Sequence, residues 1–391
     1  VNLVKYHIDT FRYLLSSQLL VENQYGLASL NLLTKRMLAA PLLHAPAALY
    51  GEYYVRAFTP LLALCLLAFM VWLLRQGIRV SPERAGQLRW FTVLMVLLLA
   101  SNNRFVWNAF YLNAHLFFAI AFLTIAACGW LLATRRDIDR LPLYALIALA
   151  LPALIVARPE GFLAAGLALL PLLFSGSVSW RGRGSAMAVY GVSTVLWYGH
   201  VALAHMDFGK EIPLSTLGPL VLGAAAIAFI PFLGWSRPVR GHRAVLFAVE
   251  GGLWLALAVF AFRDPVVLRE SLDATYQNLV GGAGSWGGSV AVLSTLVILA
   301  CVFCRDASVR HLRFPVTAMV PVFFLLANLR EGAYRVGNGD SLNRMFIEIV
   351  PLTVLFLAAA AASAQWVVPL REKRRKNCGK EGKRNAAAAP F

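Results

Sequence analysis

The chain has 391 residues, is 59% hydrophobic and carries a formal net charge of +17. A mean hydropathy of +0.67 excludes a soluble globule. The Lys and Arg excess sits in short gaps between apolar runs rather than on one face or arm, so it calls for no nucleic-acid partner.

The first 56 residues are polar and mildly amphipathic, with apolar pairs at Leu14-Leu15 and Leu19-Leu20 and no uncharged run of membrane length. Apolar runs then begin near Phe58, Trp90, Ala114, Leu141, Gly161, Ala186, Leu214, Ala244, Trp286, Phe314 and Met345. Most extend over roughly 17 to 25 residues, enough to cross ~30 Å of hydrocarbon. Every second gap is basic: Arg75 to Arg89, Arg135 to Arg140, Arg181 to Arg183, Arg237 to Arg243, Arg305 to Arg313, and the tail from Arg371 to Arg384. Together these hold most of the 36 Lys and Arg. The positive-inside rule makes them cytoplasmic and places the C-terminus inside. The other face receives the first 56 residues, Ser101 to Asn113, Arg158 to Glu160, His205 to Pro213, Arg263 to Ser285 and Arg330 to Arg344.

The pattern predicts an all-α integral membrane protein with about 11 transmembrane helices. Residues 1–56 form a first extracytoplasmic loop with short amphipathic helices, 57–370 the multi-span domain, and 371–391 a basic cytoplasmic tail drawn to anionic headgroups. An odd number of spans puts the N-terminus outside, with nothing before Phe58 to carry it across. The expectation is that a leading span precedes Val1.

Charge at membrane depth is costly and marks function, so the outer helix ends carry the candidates. In Ala157-Arg158-Pro159-Glu160-Gly161, Pro159 ends one helix and Gly161 permits a tight reversal. Arg158 has a donor fork suited to a lipid phosphate; equally, Arg158 and Glu160 suit an ion pair that clamps the turn. Asn102, Asn103 and Arg104 line a sugar pocket or cap a helix, and Arg344 meets a lipid phosphate or snorkels at the interface. His115 reads as a helix-packing group, and His205, Asp207, Lys210 and Glu211 as a solvated loop. Glu250 lies mid-membrane, where an ionisable group is a functional candidate by default. Cys301-Val-Phe-Cys304 has the spacing of a redox or metal motif but no second ligand pair, and reads as apolar helix. Asp9-Thr10 by itself reads as a helix N-cap.

The Ala-Arg-Pro-Glu-Gly turn opening a Leu/Ala-rich span resembles the GT-C superfamily of membrane glycosyltransferases, which includes the protein O-mannosyltransferase and aminoarabinose transferase branches. Three stretches agree in order and side: Trp107 to Phe118, Asn343-Arg344-Met-Phe-Ile-Glu-Ile-Val-Pro351-Leu, and His7-Ile-Asp9-Thr-Phe-Arg12-Tyr13. The resemblance implies an inverting transferase in a bacterial inner membrane. Its donor is a polyprenyl-phosphate sugar, and its acceptor an envelope glycan, lipid or protein on the outer face. It implies Asp9 as the catalytic base, Arg158, Glu160 and Arg344 as donor-binding residues, and Asn103 and Arg104 at the sugar. No organic cofactor is implied, and a divalent metal is left open. The chain departs from the pattern in its absent first span and in its single Asp9 where many relatives carry two adjacent acids; Glu22 and Glu52 stand further along. Two other classes fit the same outline: a transporter or flippase for a lipid-linked saccharide, and a non-catalytic subunit of envelope assembly.

Overall fold

The computed structural model describes residues 8–22, 37–50, 55–78, 85–111, 113–235, 242–304, 306–329, 332–337 and 341–363, and among these every regular element is a helix. Two short helices come first, α1 (Ile8–Val21) and α2 (Ala39–Tyr50), within the stretch expected to hold amphipathic helices. Then follow α3 (Val55–Gly77), α4 (Ala85–Ser101), α5 (Asn103–Phe110), α6 (His115–Thr134), α7 (Arg140–Ile155) and α8 (Gly161–Leu173). The second half holds α9 (Trp180–Asp207), α10 (Leu214–Trp235), α11 (His242–Arg263), α12 (Pro265–Leu279), α13 (Ser289–Phe303) and α14 (Arg310–Leu329). The last are α15 (Ser341–Met345), a 3-10 turn (Phe346–Glu348) and α16 (Val350–Ser363). The basic tail 371–391 lies outside the described residues.

Among the described residues six helices are long and apolar enough to cross a membrane, and up to eight if two bent pairs each count as one span. The bends are 65° between α4 and α5 and 43° between the α15 segment and α16. Asn102 makes the first: its backbone is extended, while its side-chain oxygen accepts from the Arg104 and Phe105 N–H groups and starts a new helix. The 3-10 turn before Pro351 makes the second. Three more apolar runs form helices too short to pass on length: α7, α8 and α13. Every expected run is therefore helical, but 11 full-length spans are not what the helix lengths show.

α6 is apolar on all sides, as a helix surrounded by others must be. It packs against α3, α7, α8, α14 and α16 and forms the centre of the bundle. Local signals set the ends: Asp139 caps α7, Ser179 caps α9, and Asp264 with Pro265 starts α12. The α1–α2 pair folds back over one end of the bundle. The Ser17 hydroxyl donates to the Pro41 carbonyl at 3.0 Å, and the Leu38 and Ala39 N–H groups both donate to the Val156 carbonyl at the end of α7. Tyr13, Ala40, Ala47 and Ala114 make a small core beneath this cover.

Glu250 of α11 has a partner that its sequence neighbours did not show: Arg313 of α14, with Nη2 at 2.9 Å from Oε2. The guanidinium also sits over the Phe247 ring, 5.0 Å from its centroid. A charge in an apolar helix is tolerated when paired, and losing one partner strands the other. Arg313→Ala should cost about 3 kcal/mol in thermal unfolding of the purified protein. The swap of Glu250→Arg with Arg313→Glu should recover most of that loss. A swap as damaging as the single change would show that packing, not pairing, is what the two residues supply.

Candidate active site beneath the α1–α2 cover

Four ionisable side chains from three distant parts of the sequence meet under α1 and α2. The α7–α8 turn brings Arg158 and Glu160, the first residue of α6 brings His115, and the 3-10 turn before α16 brings Glu348. Glu160, His115 and Glu348 are buried, and the Arg158 side chain is 12% exposed. Arg158 Nε stands 2.5 Å from Glu160 Oε1 and 3.4 Å from Glu348 Oε1, so one guanidinium bridges two carboxylates. His115 Nδ1 lies 2.7 Å from the same Glu348 oxygen. The carboxylate can only accept there, so Nδ1 carries the proton and donates.

Arg158 Nη1 is 3.4 Å from His115 Nδ1 and 3.2 Å from Nε2. Because Cε1 lies between the two ring nitrogens, an atom nearly equidistant from both rests over the ring face, not in its plane. The contact is therefore a guanidinium N–H directed at the imidazole. With neutral His115 the four groups sum to one negative charge, and one further proton on the ring would bring them to neutrality. Burial works against the Arg158 charge, and the carboxylates of Glu160 and Glu348 beside it offset that cost.

The backbone around the cluster is tightly specified. Tyr198 of α9 donates its hydroxyl to the Pro159 carbonyl at 3.0 Å. Gly161 is needed for room rather than for a left-handed backbone: a β-carbon there would run into the Leu154 carbonyl oxygen. A second polar string approaches from α5. Asn108 Nδ2 donates to the Arg104 carbonyl, Asn113 Nδ2 to Asn108 Oδ1, and the His115 N–H to Asn113 Oδ1, all between 2.8 and 3.0 Å. This chain fixes the start of α6 and hence the imidazole. Buried polar networks are stable only when satisfied and then hold one geometry.

The sequence candidates fall in different places. Arg158 and Glu160 are brought together as the ion-pair reading anticipated, yet the pair is one edge of a larger cluster. Asn103 is exposed, while Arg104 is buried with its guanidinium 4.6 Å from the centroid of the Trp107 ring. Asn102 acts as a cap and also donates to the Ser289 hydroxyl at 2.9 Å. Arg344 is half-buried, one helical turn before Glu348. Asp9 stands in α1 one turn before Tyr13, and its side chain lies outside the described residues, as do Glu52 and Asp340. Glu348 was not singled out in the sequence, and His115, read there as a helix-packing group, is buried and hydrogen-bonded to it. The signal for both was an ionisable residue opening an apolar helix.

Among the described residues no three His, Cys, Asp or Glu side chains are arranged to hold a metal ion. In the cluster itself, Arg158 takes the position between the two carboxylates that a divalent ion would need. The Cys304 thiol sits 3.3 Å from the Ser363 hydroxyl and has no ligand set around it among the described residues.

A scan against family models and searches of the curated proteins and of the solved structures each return no match. The fold therefore defines a class and no more: an all-α, multi-pass membrane protein with an ionic cluster buried at one end of its bundle.

Proposed function

We propose that the chain is a membrane glycosyltransferase of the GT-C kind, in a bacterial inner membrane, with about 11 spans of which three are short. It moves a sugar from a polyprenyl-phosphate carrier to an envelope glycan, lipid or protein on the face opposite the basic loops. The observation that carries this reading is the cluster of Arg158, Glu160, His115 and Glu348 under α1 and α2, of which α1 also bears Asp9. At 1.5 Å per residue, α7 and α8 rise only about 24 and 20 Å. Drawn from their basic ends, they leave the Arg158 turn recessed within the ~30 Å hydrocarbon layer, at a depth that a lipid phosphate reaches from the side.

In the proposed reaction the acceptor oxygen attacks the anomeric carbon as that carbon's bond to the phosphate oxygen breaks. The bonding pair leaves with the polyprenyl phosphate, and the acceptor proton passes to a carboxylate, Asp9 by the resemblance. Arg158 stays charged throughout and suits the growing negative charge on the phosphate. Glu160 and Glu348 fix its position through Nε, and Nη1 is turned to His115, so Nη2 is the part presented.

A second reading has an observation of its own. The two bent helix pairs and the Glu250–Arg313 pair are features that transporters use. In vesicles, a transporter would carry labelled lipid-linked sugar across the bilayer with the carrier intact.

The enzyme reading requires the cluster to open away from the basic loops. In a cysteine-free background, Gln277→Cys and Val336→Cys, both at exposed positions, should react with an impermeant thiol reagent applied to intact cells. Gly86→Cys, exposed at the start of α4, should not. The reverse pattern would put the site on the wrong face and end this reading.

A further inference from the structure

At the basic end of the bundle one arginine is buried without a counter-charge. Arg183 of α9 is 7% exposed. Its Nη1 donates to the Leu173 carbonyl, the end of α8, at 3.3 Å, and its Nε is enclosed without an acceptor. Nη2 is neither bonded nor enclosed, so it is the atom that reaches the surface. Among the described residues no carboxylate pairs with this guanidinium. A helix C-terminus offers a cation about half a negative charge, which leaves the rest unbalanced. A charge taken out of water is costly unless it is paired, so the site calls for an anion.

The surroundings add positive charge instead of removing it. Arg181 and Arg183 stand near the N-terminus of α9, a 28-residue helix with no acid in its first turn. That end is itself partly positive, so two arginines there are an electrostatic liability unless an anion joins them. The Ser179 hydroxyl accepts from the Gly182 N–H at 3.2 Å and leaves the Trp180 and Arg181 N–H groups without an acceptor. Arg140, the first residue of α7, reaches the same α8–α9 turn, with Nη1 3.4 Å from the Ser177 carbonyl. The acids nearby are engaged elsewhere: Asp139 accepts from the Leu141 N–H at 3.1 Å, and Asp137 pairs with Arg135. The next basic gap, Arg237 to Arg243, holds no acid.

Depth identifies the anion. Leu141 and Trp180, at the starts of α7 and α9, are exposed beside these arginines. Exposed apolar and indole side chains next to cations mark the membrane–water boundary, where lipid phosphates lie. We propose that this end of α7, α8 and α9 binds the phosphate group of one anionic phospholipid from the leaflet facing the basic loops, with Arg183 as its cation and Arg140 beside it. The site lies at the opposite ends of α7 and α8 from the ionic cluster, and it does not depend on the glycosyltransferase reading.

The test is mass spectrometry of the purified full chain, released gently from neutral micelles after exposure to equal amounts of dioleoyl phosphatidylglycerol and dioleoyl phosphatidylcholine. Retained phosphatidylglycerol should exceed phosphatidylcholine about fivefold. Arg183→Gln should bring that ratio close to one, and Arg140→Gln should lower it about twofold. Unfolding temperature in the same micelles without phosphatidylglycerol separates binding from a structural role. Removing an unpaired buried charge should leave it unchanged or raise it. Wild type without a preference, or Arg183→Gln with the wild-type ratio, would overturn the site. So would a lower lipid-free unfolding temperature in Arg183→Gln, which would make the residue a clamp on the end of α8. Displacement of phosphatidylglycerol by inorganic phosphate would also overturn it, giving the arginines to a soluble anion instead.

Discussion

Replacing Arg158 with Ala should destabilise the protein by about 3 to 5 kcal/mol and abolish sugar transfer. Glu160 and Glu348 both face this guanidinium and are buried, so its removal leaves two carboxylates together without a cation. Adding Glu348→Gln to Arg158→Ala should recover part of the stability, because one stranded charge is gone, while transfer stays absent. Arg158→Lys separates the roles. The ammonium keeps the charge, so the fold should persist, but it lacks the fork whose N–H groups reach Glu160, Glu348 and His115 together. Its transfer rate should fall well below wild type with little change in unfolding temperature. An Arg158→Ala protein as stable as wild type would show that the bridge between the two carboxylates contributes nothing.

The second large effect concerns the proton. Asp9→Asn keeps shape and hydrogen bonding but removes the basic lone pair, so a transfer that uses it should slow by about two to four powers of ten. Donor binding should survive, since a carboxylate would repel the carrier phosphate rather than hold it. The matching change at Glu348 should behave differently. Glu348→Gln alters the partner of both His115 Nδ1 and Arg158 Nε, so it should weaken donor binding and stability as well as rate. If Asp9→Asn transfers at the wild-type rate, the base is elsewhere, with Glu22, Glu52 and Glu160 next to be changed.

Much of this architecture is legible in the sequence because bilayer physics writes it there. An apolar run between charged gaps folds as a helix wherever it sits, and each of the runs starting between Phe58 and Met345 does so. The Ala157–Gly161 turn is legible too, since Pro159 cannot continue a helix and Gly161 leaves room for the close reversal. Span length is less legible. α7 stops at Ile155 and α8 at Leu173 because turns intervene, and composition alone continues the run. Glu348 was hidden by its setting. It lies within Met345 to Pro351, which reads as the entry to an apolar span, and its partner His115 is 233 residues away. No spacing rule joins residues that only tertiary packing brings together. Arg104 shows the opposite hazard. Beside Asn103 it reads as part of a polar pocket, yet Trp107, three residues on, stacks with it and takes it inside.

The cover formed by α1 and α2 ties these threads together. Tyr13 packs with Ala114 just before α6, and the backbone of Leu38 and Ala39 is bonded to the end of α7.

The most direct measurement is the release of polyprenyl phosphate by the purified protein, given a carrier labelled separately in its sugar and its lipid, together with an envelope extract as acceptor. The account predicts one polyprenyl phosphate freed for each sugar that becomes attached to acceptor, with release abolished in Arg158→Ala and slowed in Asp9→Asn. Recovery of the carrier intact, with its sugar still attached after prolonged incubation with wild-type protein, would contradict glycosyl transfer by this chain.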